Sequence, residues 1–458
     1  MRRLLIYGLT LTIGLLPALA KAQTEVTMEP KLLSLQEAMD YAVKHSASAK
    51  NARLDVLMQQ RKNAEITGVA LPQLNVEGQF SAFLNPQKSF LPGEFFQDST
   101  GPMYPPGTFV PVQFTPKYSS SATGSISQIL FDGSILVALQ ARTAAMKLYE
   151  QSARLSEEEI RYTVQKAYYA FIIARRQYGI LNSSLAYARN MGNDIEVLYQ
   201  NGFAEKIDVD RTNVQINNLA TDSMRIGSML TLSEQLLKYQ MGMEISQPII
   251  LTDTSVDAKI MEASEMLLST EADYDDRTEF GILQTQLLLN KYDLKRHRLS
   301  GLPSLAAFGS LNYNYASNEF SDLVNKPYLN YSLVGLKLNI KIFDGLQRYN
   351  RVKQAKLSIE KTKNSIENLK LGIDLQTAQS KTSLKNALLT MKSQERNLGL
   401  ANGVLDLARK KYKAGVGSNT EVTQAQTEML QSQNNYFNAM LDVINAKSDL
   451  QKAIGQFK

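Results

Sequence analysis

The chain has no cysteine in its 458 residues. That excludes disulfides, thiolate metal sites, thiol catalysis and a lipid-modified cysteine. Histidine is nearly missing: His45 and His297 lie far apart, with no acidic or nucleophilic motif around either. Both read as ordinary helix residues. Past the first 22 residues no apolar run reaches the ~20 residues that a spanning helix needs. A strong charge imbalance is also lacking. The formal net charge is +6, and subtracting Arg2, Arg3 and Lys21 of the leader leaves +3. With no dense Lys/Arg block and no Gly-rich phosphate loop, this is not a nucleic-acid footprint. A membrane β-barrel remains open, because its strands need only alternate.

The leader itself is informative. Met1-Arg2-Arg3 is positive, Leu4 to Leu19 is apolar, and Ala20-Lys21-Ala22 is a small-x-small cleavage site. Residues 1–22 are therefore expected to be a secretory signal peptide, cleaved before Gln23.

The remainder is two copies of one plan. Ile-Leu-Phe-Asp-Gly at 129–133 matches Lys-Ile-Phe-Asp-Gly at 341–345, at an offset of 212. Tyr199-Gln-Asn-Gly202 matches Tyr412-Lys-Ala-Gly415 at 213, as do Asp208-Val209 with Glu421-Val422 and Gly242 with Gly455. Upstream, Ala70-Leu-Pro-Gln-Leu74 resembles Gly301-Leu-Pro-Ser-Leu305. Ordered matches of this kind mark an internal duplication. The first repeat is set at 23–247, an acidic linker at 248–276, and the second repeat at 277–458.

Each repeat reads helix, strand, loop, strand, long helix, turn, return helix. Ser34 caps a helix expected to run to about Gly68, with Glu37 as capping-box partner. Leu74, Val76, Gly78, Phe80, Ala82 and Leu84 then alternate with polar residues, the period of a strand. A second strand is expected over about 118–130. In the second repeat Leu305 to Tyr315 form one alternating face, and Val334 to Ile342 the next. Between the first two strands, residues 85–117 hold seven prolines with interleaved Phe and Tyr, an expected outside loop. Long helices are expected over 134–199 and 346–412, each ~100 Å long. Heptads run through Ile160/Val164, Ala167/Phe171 and Leu181/Leu185, and through Val352, Ile359, Ile366 and Ile373. After an eleven-residue step they resume at Leu384, a stutter that locally unwinds a supercoil. The return helices, about 207–241 and 420–454, are half as long. The helices at 34–68 and 276–299 are expected to stack end to end with them.

Asp132 and Asp344 end strands and are positioned to cap the following helices. Gly133 and Gly345 ease the change of direction. No partner acid, base or metal ligand stands near either aspartate in sequence, so neither reads as catalytic. No catalytic residue, cofactor or metal site is expected anywhere in the chain.

Four strands are too few to close a membrane barrel, and open edges are not tolerated in lipid. The chain must share a barrel between copies. This layout resembles the TolC family of outer-membrane efflux proteins over nearly the whole exported chain. The resemblance rests on the duplicated plan, the Leu-Pro-x-Leu strand starts, the two Phe-Asp-Gly switches and the two Tyr-x-x-Gly turns. It implies a mostly α fold with membrane β: a homotrimer with a twelve-stranded β-barrel continuous with an α-helical coiled-coil periplasmic tunnel. It further implies an outer-membrane exit duct for a tripartite efflux or type I secretion system, reached through a periplasmic membrane-fusion adaptor and an inner-membrane transporter. Gly202, Phe203, Gly415 and Val416 correspond to the adaptor-docking tip. Tyr412 and Asp208 correspond to a hydrogen-bonded gate, with Gln424 and Arg211 at positions that line the closed aperture. Two rival readings fit less well. A trimeric adhesin would place its anchor at one end, and a periplasmic enzyme would need a convergent acid–base constellation that is not there.

Overall fold

The computed structural model describes residues 29–99, 101–253 and 264–457. The signal segment 1–22 and linker residues 254–263 lie outside the described residues.

Helices dominate. Ser34 starts α1 (Leu35–His45) with the expected capping box, its N–H donating to Glu37 Oε2 at 2.8 Å. The single helix expected from there to Gly68 is broken: Ser46 is extended, with ψ 148°, and α2 (Ala47–Val69) starts anew from its hydroxyl cap. The reason lies far off in sequence. A Cβ on Gly242 would stand 2.7 Å from the Ser46 Cα, so the end of a return helix occupies the break.

The long helices are α3 (Gly133–Gln200) and, after α4 (Lys206–Met241) and α5 (Thr278–Leu299), α6 (Gln347–Lys413). The return helices are α4 and α7 (Asn419–Ala453). Half of α3 packs on α4, the other half on α2 and α5; α6 packs on α7 and α5. Both return helices end at left-handed glycines, Gly242 (φ 67°) and Gly455 (φ 73°). Gly455 abuts the backbone of Asp276, just ahead of α5, as Gly242 abuts Ser46. The end-to-end stacking expected from the lengths is therefore present in both repeats, closed by the same joint.

Most heptad positions are buried, with Val352 and Ile359 only half-buried. Ile160, Val164, Ala167 and Phe171 join Leu384, Met391, Val443, Ile444 and Leu450 in one large apolar cluster at mid-length. Burying each of these side chains larger than alanine contributes ~1.5–3 kcal/mol. Nearer the turns the core thins to two small clusters, one around Leu185 and Leu219 and one around Leu405 and Val422. At the stutter between Ile373 and Leu384 the buried positions are Thr377 and Ser380.

Four antiparallel strands form one sheet. They are β2 (Gln73–Ala82), β5 (Tyr118–Phe131), β7 (Ser304–Ser317) and β8 (Leu329–Asn339), in the order β8-β7-β5-β2. Register aligns Leu74, Ile126, Gly309 and Val334 in one row, and Glu77, Thr123, Asn312 and Tyr331 in a row of the opposite parity. One face is thus apolar and the other largely polar, with the Thr123 hydroxyl 2.9 Å from Asn312 Oδ1. Leu74 and Val334 remain 75% and 84% exposed, so no described part of the chain covers this face. The last strand, expected to reach Ile342, stops at Asn339, because its partner begins opposite at Ser304.

The small strands have local roles. The loop at 85–117 is more ordered than expected: β3 (Lys88–Pro92) pairs with β4 (Phe109–Gln113). Phe80, Tyr118 and Phe320 cluster at that end of the sheet. At the waist, β1 (Lys31–Leu33) pairs in parallel with β6 (Ile249–Leu251), which fixes the described start of the linker. Beside it the buried Tyr168 hydroxyl donates to Asp253 Oδ2 at 2.8 Å. Burial first, then the Asp253 carboxylate, push the Tyr168 phenol well above its ordinary value.

Candidate functional site at the helix turns

The two long helices end identically. Gly202 (φ 80°) donates to Tyr199 O, and Phe203 N–H reaches back to Leu198 O at 2.8 Å. Gly415 (φ 76°) donates to Tyr412 O, and Val416 N–H reaches Lys411 O at 3.1 Å. These paired bonds are the Schellman closure that glycine favours. Phe203 and Val416 project from the turns, 82% and 78% exposed. Each of the two matching turns thus presents one exposed apolar side chain.

Above the turns, α3, α4, α6 and α7 converge on a polar cluster. The expected gate members are there, but joined differently. No hydrogen bond links Tyr412 to Asp208 among the described residues. Their coupling is electrostatic: burial, then the Asp208 and Asp194 carboxylates, raise the Tyr412 phenol above its ordinary value. Asp208 acts through its main-chain carbonyl, which accepts from the Thr212 hydroxyl at 2.8 Å. Arg211 does not meet Gln424; its Nη1 donates to Thr420 Oγ1 at 2.6 Å. Gln424 bonds within its own helix, to Glu428 Oε1 at 2.8 Å.

Sequence reasoning missed the groups that join the hairpins. Asn419 Nδ2 donates to Thr212 Oγ1 at 3.1 Å, and both residues are buried. The Arg409 guanidinium sits 3.7 Å from the Tyr187 ring centroid and donates to Gln426 Oε1 at 2.6 Å. Thr212 and Gln426 break apolar stripes, between Val209 and Leu219 and between Val422 and Met429, which was the available signal. Arg409 Nε, Asn419 Oδ1, Thr423 Oγ1 and Gln426 Nε2 are buried without a hydrogen-bond partner among the described residues.

The two Phe-Asp-Gly switches differ. Asp132 caps α3 as expected, Oδ1 accepting from Ser134 N–H at 2.8 Å and Ile135 N–H at 3.2 Å. Gly133 is already helical rather than turn-forming, and the space of a Cβ there is filled by the Leu299 carbonyl, 2.6 Å away. Asp344 is not adjacent to its helix. Gly345 (φ 63°) and Leu346 (φ 62°) are both left-handed, and the Asp344 carboxylate accepts from Arg348 N–H at 2.9 Å, one turn later.

No described helix is long and apolar enough to cross a membrane, a statement that leaves the sheet untouched. Comparisons with known proteins converge on one architecture. Residues 284–456 match the family model described as outer membrane efflux protein. No curated protein sequence matches the chain significantly. Solved structures do match in fold. The outer membrane protein VceC from Vibrio cholerae superposes with a TM-score of 0.66 at 14% identity, covering 92% of this chain and 96% of that one. The Campylobacter jejuni CmeC outer membrane channel gives 0.66 at 16% identity, covering 92% and 85%. The open state of the Neisseria gonorrhoeae MtrE outer membrane channel gives 0.66 at 16%, covering 92% and 88%. Residues 284–456 are thus similar to the outer membrane efflux protein family, and the chain as a whole has the fold seen in these outer-membrane channels.

Proposed function

We propose that this protein is the passive exit duct of an efflux or secretion assembly at the outer membrane, processed by signal-peptide cleavage. One observation carries the reading. A four-stranded sheet, polar on one face and exposed-apolar on the other, has two open edges and runs directly into helices ~100 Å long. Three copies joined edge to edge make a closed twelve-stranded barrel in which every backbone group is paired. The polar face then lines a wet lumen, and the helix pairs extend it into the periplasm as a tube. The turns carrying Gly202, Phe203, Gly415 and Val416 are the docking surface for a periplasmic adaptor, which links the duct to an inner-membrane transporter. The cluster around Asp208, Arg211, Tyr412 and Gln424 is the gate. The chain supplies a path and performs no chemistry on its cargo.

The test is planar-bilayer conductance of the purified protein, with the mass of the same sample determined. A trimer with discrete, long-lived channels is expected. A trimer that stays silent even with Asn419→Ala and Thr212→Val overturns the duct and favours a structural, adhesin-like role.

A further inference from the structure

Where the sheet gives way to the helices, four cations line one open cavity of about 690 Å³: Arg298, Lys341, Arg348 and Arg351. None of the four forms a salt bridge among the described residues. The contrast with their neighbours is sharp, since Arg296 and His297 both face Asp293, at 2.7 and 3.3 Å. Among the described residues Arg351 meets only the neutral Gln347 Oε1, at 3.2 Å. The one carboxylate in the lining, Asp344, is engaged by the Arg348 main-chain N–H. Gly301 belongs to the same wall, and the Arg348 guanidinium fills the position a Cβ would take there. A side chain at 301 would push Arg348 out of the cavity.

Apolar surface adjoins the charge. The outward row Val334, Leu336 and Leu338 continues past the end of β8 into Ile342 and Phe343, 95% and 79% exposed, which also line the cavity. An unpaired cationic pocket at the lower rim of an apolar band matches an amphiphile with an anionic head.

We propose that this cavity binds a phospholipid of the periplasmic leaflet with a net-anionic phosphodiester headgroup. The cations hold the phosphate, and Ile342 and Phe343 meet the acyl chains. The proposal rests on the barrel reading above. A zwitterionic lipid brings its own ammonium and gains less, since each Lys or Arg near an anionic surface adds about fivefold in affinity.

The experiment titrates the intact detergent-solubilised protein with short-chain phosphatidylglycerol, phosphatidylcholine or inorganic phosphate, and counts retained ligand by native mass spectrometry. Phosphatidylglycerol is expected to be retained and phosphatidylcholine lost. The triple variant Arg298→Gln, Arg348→Gln, Arg351→Gln should lose on the order of a hundredfold in phosphatidylglycerol affinity. Two milder variants guard against misfolding. Lys341→Gln should lose about fivefold, and Gly301→Val, which keeps every charge but displaces Arg348, should lose a similar factor. Equal retention of both lipids by the wild type overturns the proposal, as does unchanged affinity in Lys341→Gln and Gly301→Val. Displacement of phosphatidylglycerol by inorganic phosphate at equal concentration makes this a free-anion site and overturns the lipid. Loss of trimer in the triple variant, without lipid discrimination by the wild type, assigns the cations to a carboxylate of a second copy and also overturns it. Conductance of the same preparation separates the two readings: a conducting wild type that fails to discriminate sinks only the lipid site, whereas a non-inserting one sinks the duct.

Discussion

Asn419, the first residue of α7, is hydrogen-bonded through its amide to the hydroxyl of Thr212 in α4, and this buried bond ties one hairpin to the other at the turns. It sits among four orphaned polar atoms. Each unsatisfied buried group costs ~1–3 kcal/mol, whereas the mid-length core is a continuous apolar cluster. The turn end is therefore the less stable part of the helical body, and opening motions are drawn from such regions. Asn419→Ala and Thr212→Val should each raise single-channel conductance and speed amide exchange near the turns. Their coupling in a double-mutant cycle should be ~0.5–1.5 kcal/mol, the net value of one hydrogen bond. Additive effects with unchanged conductance would remove the bond from the gate.

Tyr412 predicts an alkaline limit. Its phenol is raised by burial and by Asp208 and Asp194, so the folded state favours the neutral form. A group raised on folding contributes stability that is complete below its ordinary value, ~10 for Tyr, and lost as pH rises through the folded value. Conductance should therefore be insensitive to Tyr412 from pH 6 to 9 and rise at higher pH as the phenolate meets the two carboxylates. Tyr412→Phe should abolish that alkaline rise, and a rise that persists in the variant assigns it elsewhere.

The turn glycines give a matched comparison. Gly202→Ala and Gly415→Ala place a Cβ on a left-handed residue, at ~1–2 kcal/mol each. Gly403, mid-helix with open space around it, should accept alanine with a gain of up to ~1 kcal/mol. Thermal denaturation of the three variants checks the order. A stabilised Gly415→Ala would show that the turn is not held left-handed.

The two switch aspartates should respond unequally. Asp132→Ala removes a cap that satisfies two N–H groups and should cost ~1 kcal/mol. Asp344→Ala removes one bond beside two left-handed residues and should loosen the turn at Gly345 and Leu346, read as faster local exchange with a smaller change in melting temperature. Equal melting shifts in the two variants would mean that the repeated tripeptide does one job twice.

The helices were legible because their signal is long and periodic. The expected spans 134–199 and 346–412 become Gly133–Gln200 and Gln347–Lys413. Asp132 was legible as a cap because its partners are two and three residues away. Gly133 was not, since what it touches is Leu299. The break at Ser46 answers to Gly242, and the bond of Asn419 answers to Thr212. Each depends on a contact some two hundred residues away, which no local pattern records. Gln424 and Arg211 were placed by resemblance, and their side chains turned to nearer partners, Glu428 and Thr420.

The uncovered sheet has a consequence for how the protein is made. A lone copy has no solvent that suits it. In water, Leu74, Val76, Val334 and Leu336 lie bare. In lipid, β2 and β8 would each present a row of unpaired backbone groups, at several kcal/mol apiece. The helical body closes its mid-length core within one chain, but Leu54, Leu371 and Leu389 on its flanks also stand bare. On the duct proposed above, biogenesis would then have an order: the helices fold in the aqueous compartment and bring copies together through those bare flanks. Strand pairing between copies and entry into the bilayer would follow as one event, and the expectation is that no inserted monomer accumulates.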